Sequence, residues 1–227
     1  LKPFPGLRPT PDLAKKVASP PYDVLNSEEA RKLAESNPYS FLHINKPEID
    51  LDATVDIHDK SVYQKGAENL QRFVREGILT KDDSDNYYIY RQIMGDHIQT
   101  GLVAVAAVED YENNLIKKHE FTRPEKEDDR FNHMDHLNAQ VGPVFLTYQS
   151  DNSIDGIVAQ CTAVEPEYDF ISSDGIRHIF WVVNDAQMIA NIETAIRKVP
   201  CLYVADGHHR SAAAMRIKNM RQAENPE

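Results

Sequence analysis

The stretch C-L-Y-V-A-D-G-H-H-R-S at Cys201 to Ser211, followed by Ala212, Ala213 and Ala214, decides how this chain is read. Cys201 to Ala205 is an apolar run of strand length with β-branched and aromatic members. From Ser211 through Met215, Ile217 and Met220 the composition and spacing are helical. Between them lie Asp206, Gly207, His208, His209 and Arg210. The order is therefore strand, tight turn, helix. A glycine lets the backbone turn sharply, and the first helical N–H groups point outward with the positive end of the helix dipole behind them. Anions bind at such ends. Arg210, in the first turn, can fork onto a phosphate or carboxylate, while Asp206 at the strand end can hold a metal ion or orient a histidine. The plainer reading is a histidine-rich cap that satisfies only its own backbone.

Upstream of this turn, strands and helices alternate. A helix near Ile154 to Val164, strands near Phe170 and at Ile179 to Val183, and a helix from Ala186 to Arg197 lead into it. Earlier, strands at Tyr87 to Met94 and Gln99 to Val108 flank Gly95 and Asp96, a hairpin signal, and the second is apolar enough to be central. Glu109 to Asn114 read as a turn into a third antiparallel strand at Leu115 to Glu120. His133, Leu137 and Val141 suggest a helix, and Pro143 to Gln149 a strand. Pro3, Pro5, Pro9 and Pro11 make the opening extended chain. Asn26 or Ser27 caps a helix from about Glu28 to Glu35, and Phe41 to Ile44 looks like a short strand. Tyr63, Ala67, Leu70 and Val74 give the core face of a helix from Lys60 to Glu76 that ends on Gly77. Antiparallel hairpins mixed with separated helices favour an α+β fold, a mixed and mainly antiparallel sheet with flanking helices. Domains at 1–150 and 151–227 are expected, or a single intertwined one.

The chain has 227 residues and a formal charge of -11, with a pI near 5.3. A net acidic surface disfavours nucleic acid, because neutralising phosphates needs a basic face. A small-molecule partner is expected instead. Cys161 and Cys201 match neither a zinc pattern nor a disulfide framework and read as buried thiols. No apolar stretch is long enough to span a bilayer, and Leu1 to Thr10 lacks the apolar core of a signal peptide, so the expected location is the cytoplasm. The first residue is not Met and the last lie just beyond a helix, which suggests a piece of a longer protein.

Lys117, Lys118, His119, Arg123 and Lys126 surround Glu120 with positive charge at a strand-to-helix joint of an acidic protein. Such a local inversion attracts an anion. Glu125 to Arg130 read as a solvated helix face. Asp23, behind Pro20 and Pro21, is a carboxylate on a stiff loop, suited equally to a turn or to a positioned base. His133 and His136 lack a fixed third ligand, so a structural role suits them better than metal binding. The glycines fit neither a phosphate loop nor a dinucleotide fingerprint.

Several strings resemble domain-of-unknown-function family 1015, a family of bacterial and archaeal proteins. They are A-S-P-P-Y-D-V from Ala18, N-P-Y-S-F-L-H from Asn37, Q-T-G-L-V-A from Gln99, K-K-H-E-F-T-R-P-E-K-E-D-D-R from Lys117, L-N-A-Q-V-G-P-V-F-L from Leu137 and A-D-G-H-H-R from Ala205. D-G-H-H-R followed by small residues also resembles the signature of the ParB and sulfiredoxin superfamily, which includes free serine kinases. That resemblance implies a ParB/sulfiredoxin-like element around 201–222, with Gly207, His208, His209, Arg210 and Ser211 cradling nucleotide phosphates. Sulfiredoxin's catalytic cysteine has no counterpart in this turn.

Together these readings give a nucleotide-dependent small-molecule phosphotransferase, with ATP or ADP and Mg²⁺ as expected cofactors. Asp23, Glu120 and His209 are the candidate catalytic residues, His119 and Arg123 join the nucleotide site, and Asp206 is the candidate Mg²⁺ ligand. The alternative is a ParB-like regulator that binds a nucleotide as a switch toward DNA or a protein partner. No basic recognition helix is present to support it.

Overall fold

The proline-rich opening is extended, because each ring fixes its own φ, and it pairs through isolated bridges, Lys2 with Val105 and Phe4 with Asn86, and over a short strand β1, Leu7–Pro9. In this computed structural model, which describes residues 1–225, a short helix α1, Ala14–Val17, comes next, and then a 3₁₀ turn at Tyr22–Val24. Helix α2, Ser27–Ala34, starts at a reciprocal cap: the Asn26 side chain accepts from the Glu29 N–H, and the Glu29 carboxylate accepts from the Asn26 N–H. Helix α3, Leu42–Asn45, is one turn long, and α4, Lys60–Arg75, is capped by Asp59. Strands β2, Leu79–Lys81, β3, Tyr87–Met94, and β4, His97–Val103, follow. Then come helix α5, Val108–Glu112, strand β5, Ile116–Lys117, helix α6, Pro124–Leu137, and strand β6, Phe145–Thr147. Helix α7, Asn152–Cys161, strands β7, Tyr168–Ile171, and β8, Arg177–Val183, and helix α8, Ala186–Ile196, lead to β9, Leu202–Asp206, and α9, His208–Glu224. The class is α+β.

The chain forms two compact units, each assembled from three separated stretches rather than divided by one cut near residue 150. The first comprises Leu1–Lys15, Leu79–Ala107 and Tyr148–Pro200. Its antiparallel sheet has the order β4-β3-β8-β7, with Tyr87 opposite Val183 and Ile89 opposite Trp181. Period-two alternation puts Tyr87, Ile89, Ile179, Trp181 and Val183 on one face, where Ile157 and Val158 of α7 and Met188, Ile189 and Ile192 of α8 pack. The other face stacks Tyr88, Phe180 and Tyr168, with centroids 5.4 and 5.2 Å apart.

The second unit comprises Lys16–Ile78, Val108–Thr147 and Cys201–Glu227. Its sheet has the order β5-β9-β6, with β5 parallel and β6 antiparallel to β9. Val204 in the middle strand is fully buried, against Tyr111 and Ile116. Helix α6 packs on α4 and α9. The face of α4 toward the core carries Val62, Tyr63, Gly66, Leu70 and Phe73.

Several expectations are corrected. Phe41 to Ile44 is the start of helix α3, held by the Phe41 N–H donating to the Val17 carbonyl and by helical bonds from Ile44 and Asn45 to Phe41. Strand β4 is shorter than expected and lies at the sheet edge, because β3 takes β8 on its other side. Glu109 to Asn114 mostly form helix α5, and only Ile116 and Lys117 form the next strand, in a parallel pairing with β9. Helix α6 stops at Leu137 with Asn138 in the left-handed region at φ 49°, short of Val141. Both cysteines are free thiols and only partly buried. Among the described residues no helix is long and apolar enough to cross a membrane.

Candidate functional site

The turn between β9 and α9 has the expected backbone. Gly207 is the N-cap of α9 at φ 97°, a left-handed conformation that other residues adopt only with strain, and no side chain caps the helix. The Ser211 N–H and hydroxyl both donate to the Gly207 carbonyl, at 2.9 and 3.2 Å, so the serine is turned onto its own helix.

Around this helix start the second unit gathers residues from the stretch between β5 and α6. The His119 and His208 rings meet edge to face with centroids 4.5 Å apart. Glu120 Oε2 lies 3.8 Å from His208 Nδ1. The Arg123 N–H donates to His209 Nε2 at 3.1 Å, which fixes that nitrogen as an acceptor. Burial, and then the positive charges of Lys126 and Arg123, hold the His209 pKa below its usual value against the opposing pull of Glu120 and Glu127. His209 is therefore a neutral imidazole at neutral pH. It ties the N-terminus of α6 to that of α9. His119, Glu120, Arg123, His208 and His209 thus share one neighbourhood, although His119 and His208 are far apart in sequence.

Arg210 and Asp206 sit differently from the sequence expectation. The Arg210 guanidinium pairs with the Asp206 carboxylate one helical turn away and donates to the Pro143 carbonyl at 2.5 Å. It lies flat on the turn, since a Cβ at Gly207 would meet its Nε at 3.2 Å and one at Gly142 would meet its Cδ at 3.2 Å. Two glycines leave the space, and the nearest opposite charge takes the guanidinium. Arg210 is thus a brace of the turn rather than an outward fork, and Asp206 is its counter-ion rather than a free metal ligand.

Asp23 is exposed in the 3₁₀ turn beside Tyr22. Burial raises the Tyr22 hydroxyl pKa, opposed by the charges of Arg130 and Arg210, and the Arg130 guanidinium lies 4.0 Å from the centroid of its ring. The Asp23 loop is therefore within the electrostatic reach of Arg210. Tyr22 and the Gly142-Pro143 bend went unrecognised as parts of the site in the sequence. A G-P pair favours a turn, but nothing local indicates that the Pro143 carbonyl would hold Arg210.

The charged face of α6 is partly engaged rather than merely solvated. Asp129 accepts from the Tyr63 hydroxyl at 3.0 Å, and Arg216 of α9 pairs with Glu127 and Asp128 at 3.1 and 2.7 Å. His133 is buried, with Nε2–H donating to the Ile44 carbonyl at 2.9 Å, and His136 contacts the Asn132 carbonyl at 2.8 Å. Both are structural.

A family model described as a protein of unknown function, DUF1015, matches residues 1–227. The chain belongs to the DUF1015 family. No curated protein and no solved structure matches it significantly.

Proposed function

We propose that this chain is a nucleotide-dependent phosphotransferase acting on a small hydroxylated metabolite, free serine or a compound like it. The observation that carries the reading is the meeting of His119, Glu120, Arg123 and His209 at the uncapped start of α9. Phosphoryl transfer requires positioning and charge neutralisation more than covalent chemistry by the protein. The first N–H groups of α9 offer fixed positive dipoles to phosphate oxygens. Arg123 and Lys126 add full positive charge beside a neutral His209. ATP or ADP is the expected donor, and Mg²⁺ carried on its phosphates supplies further charge neutralisation. Glu120 and Asp23 are the carboxylates suited to accept the proton of the acceptor hydroxyl. Arg210, paired with Asp206, contributes by holding the turn in shape.

The test is incubation of the protein with ATP or ADP, Mg²⁺ and a panel of hydroxylated amino acids and sugars, with products followed by phosphorus NMR. A phosphorylated acceptor is expected. Asp23→Asn and Glu120→Gln are then compared, and replacing the base should lower turnover by about 10²–10⁴-fold with nucleotide affinity nearly unchanged. If no nucleotide shifts the melting temperature, the reading falls. Tight nucleotide binding without any product would favour a ParB-like switch instead.

A further inference from the structure

His208 is 5% exposed, yet its ring is held by no hydrogen bond: Nε2 is buried without a partner among the described residues, and Nδ1 faces Glu120 Oε2 at 3.8 Å, too far for one. Nδ1 is thus a ring nitrogen of a buried histidine facing a carboxylate without a hydrogen bond to it, the arrangement that a cation between the two would complete. One donor atom each from His119, Glu120 and His208 lies within 4.8 Å of the others. We propose that His119, Glu120 and His208 bind a divalent transition-metal ion of the zinc class.

The donor set selects the ion. Two imidazoles and one carboxylate suit zinc, cobalt or manganese, whereas Mg²⁺ prefers an all-oxygen octahedron. Bonds of about 2.1 Å place tetrahedral donors about 3.4 Å apart, so the cluster must contract slightly around an ion. His119 and Glu120 are exposed and can close by changing rotamers, while buried His208 stays fixed. Three protein donors leave a coordination position open, as in catalytic rather than structural zinc sites. That position opens beside the start of α9 and the charges of Arg123 and Lys126, so an anionic oxygen is the natural fourth ligand. An ion on Glu120 would also leave Asp23 as the carboxylate free to act as a base.

The ion site stands independently of phosphotransfer, and its test contains no nucleotide. The chelator-treated full chain is titrated with Co²⁺, followed by absorption and calorimetry, and the bound Co²⁺ is then displaced with Zn²⁺. One ion per chain is expected, undisturbed by excess Mg²⁺. His119→Ala and Glu120→Gln should each weaken binding at least about tenfold, since even the loss of a residue that only orients a ligand costs that much. His97→Ala, at the start of β4, should bind as the parent does. His208→Ala should abolish binding, and because His208 is buried, the exposed His119 variant decides the matter if that protein fails to fold. Absence of a stoichiometric ion, or His119→Ala binding as tightly as the parent, overturns the proposal. Either result leaves the nucleotide melting test unaffected, so failure of the ion site and failure of phosphotransfer are separable.

Discussion

His133 sits in the interior of the second unit, 3% exposed, with its Nε2–H donated to the Ile44 carbonyl. Burial, and secondarily the charge of Arg130, push its pKa down to about 4. An unfolded histidine titrates near 6.5, so between those values the unfolded chain binds a proton that the folded one refuses. The stabilising contribution is complete above about 6.5 and is lost as pH falls toward 4, at up to about 1.4 kcal/mol per pH unit. Denaturant midpoints measured from pH 7 to 4.5 should fall accordingly, and His133→Asn, which keeps a donor for Ile44, should flatten that dependence. An equally steep loss in the variant would assign the acid sensitivity elsewhere. His208 is almost as buried, and its Nε2 has no such carbonyl. At this scale the sequence revealed the polar turn at Asp206 to Arg210 as a local composition. It did not reveal Arg210 lying on Gly207 and donating to Pro143, because that geometry depends on a loop dozens of residues away.

Helix α4 illustrates what a single element must satisfy. Gly66 lies on its buried face, where a Cβ would meet Pro47 Cγ at 2.9 Å and Leu137 Cδ1 at 3.2 Å. Replacing a helix-interior glycine by alanine gains about 1 kcal/mol of propensity, while forcing a methyl into filled space costs about 1–3 kcal/mol. The proline ring cannot swing aside, so packing wins: Gly66→Ala should destabilise the protein by about 1 kcal/mol in chemical denaturation. A stabilised variant would mean that α4 can retreat from Pro47. The helices with long apolar periodicity or a clear cap, α2, α4 and α8, were legible to within a few residues, since their signals are local. Phe41 to Ile44 reads as a strand because three apolar residues and a histidine are too short a run to show a period, and the bond from Phe41 to Val17 that starts the helix is tertiary. The edge position of β4 and the parallel pairing of β5 were equally hidden, since each is decided by another strand, β8 in one case and β9 in the other.

Across the whole molecule the α+β class was readable from the mixture of hairpins and helices, but the weaving of the chain between two units was not, because each unit closes only when distant stretches meet. This weaving makes truncation informative. A chain ended after Pro200 keeps every stretch of the first unit, including the only tryptophan, Trp181, which is 4% exposed and donates its indole N–H to the Val164 carbonyl at 3.0 Å. It loses β9, the middle strand on which β5 and β6 both depend, and α9, against which α6 packs. Val204 no longer covers Tyr111 and Ile116. The loss of helical circular dichroism should therefore exceed the 17 residues of α9, because α6 loses a packing partner and isolated helices of its length are marginal in water. Tryptophan emission should stay at the wavelength of a buried indole and show its own cooperative thermal transition. A red-shifted emission in the truncated chain would mean that the first unit cannot fold without the second. A helical loss confined to α9 would mean that α6 is stable without its partner.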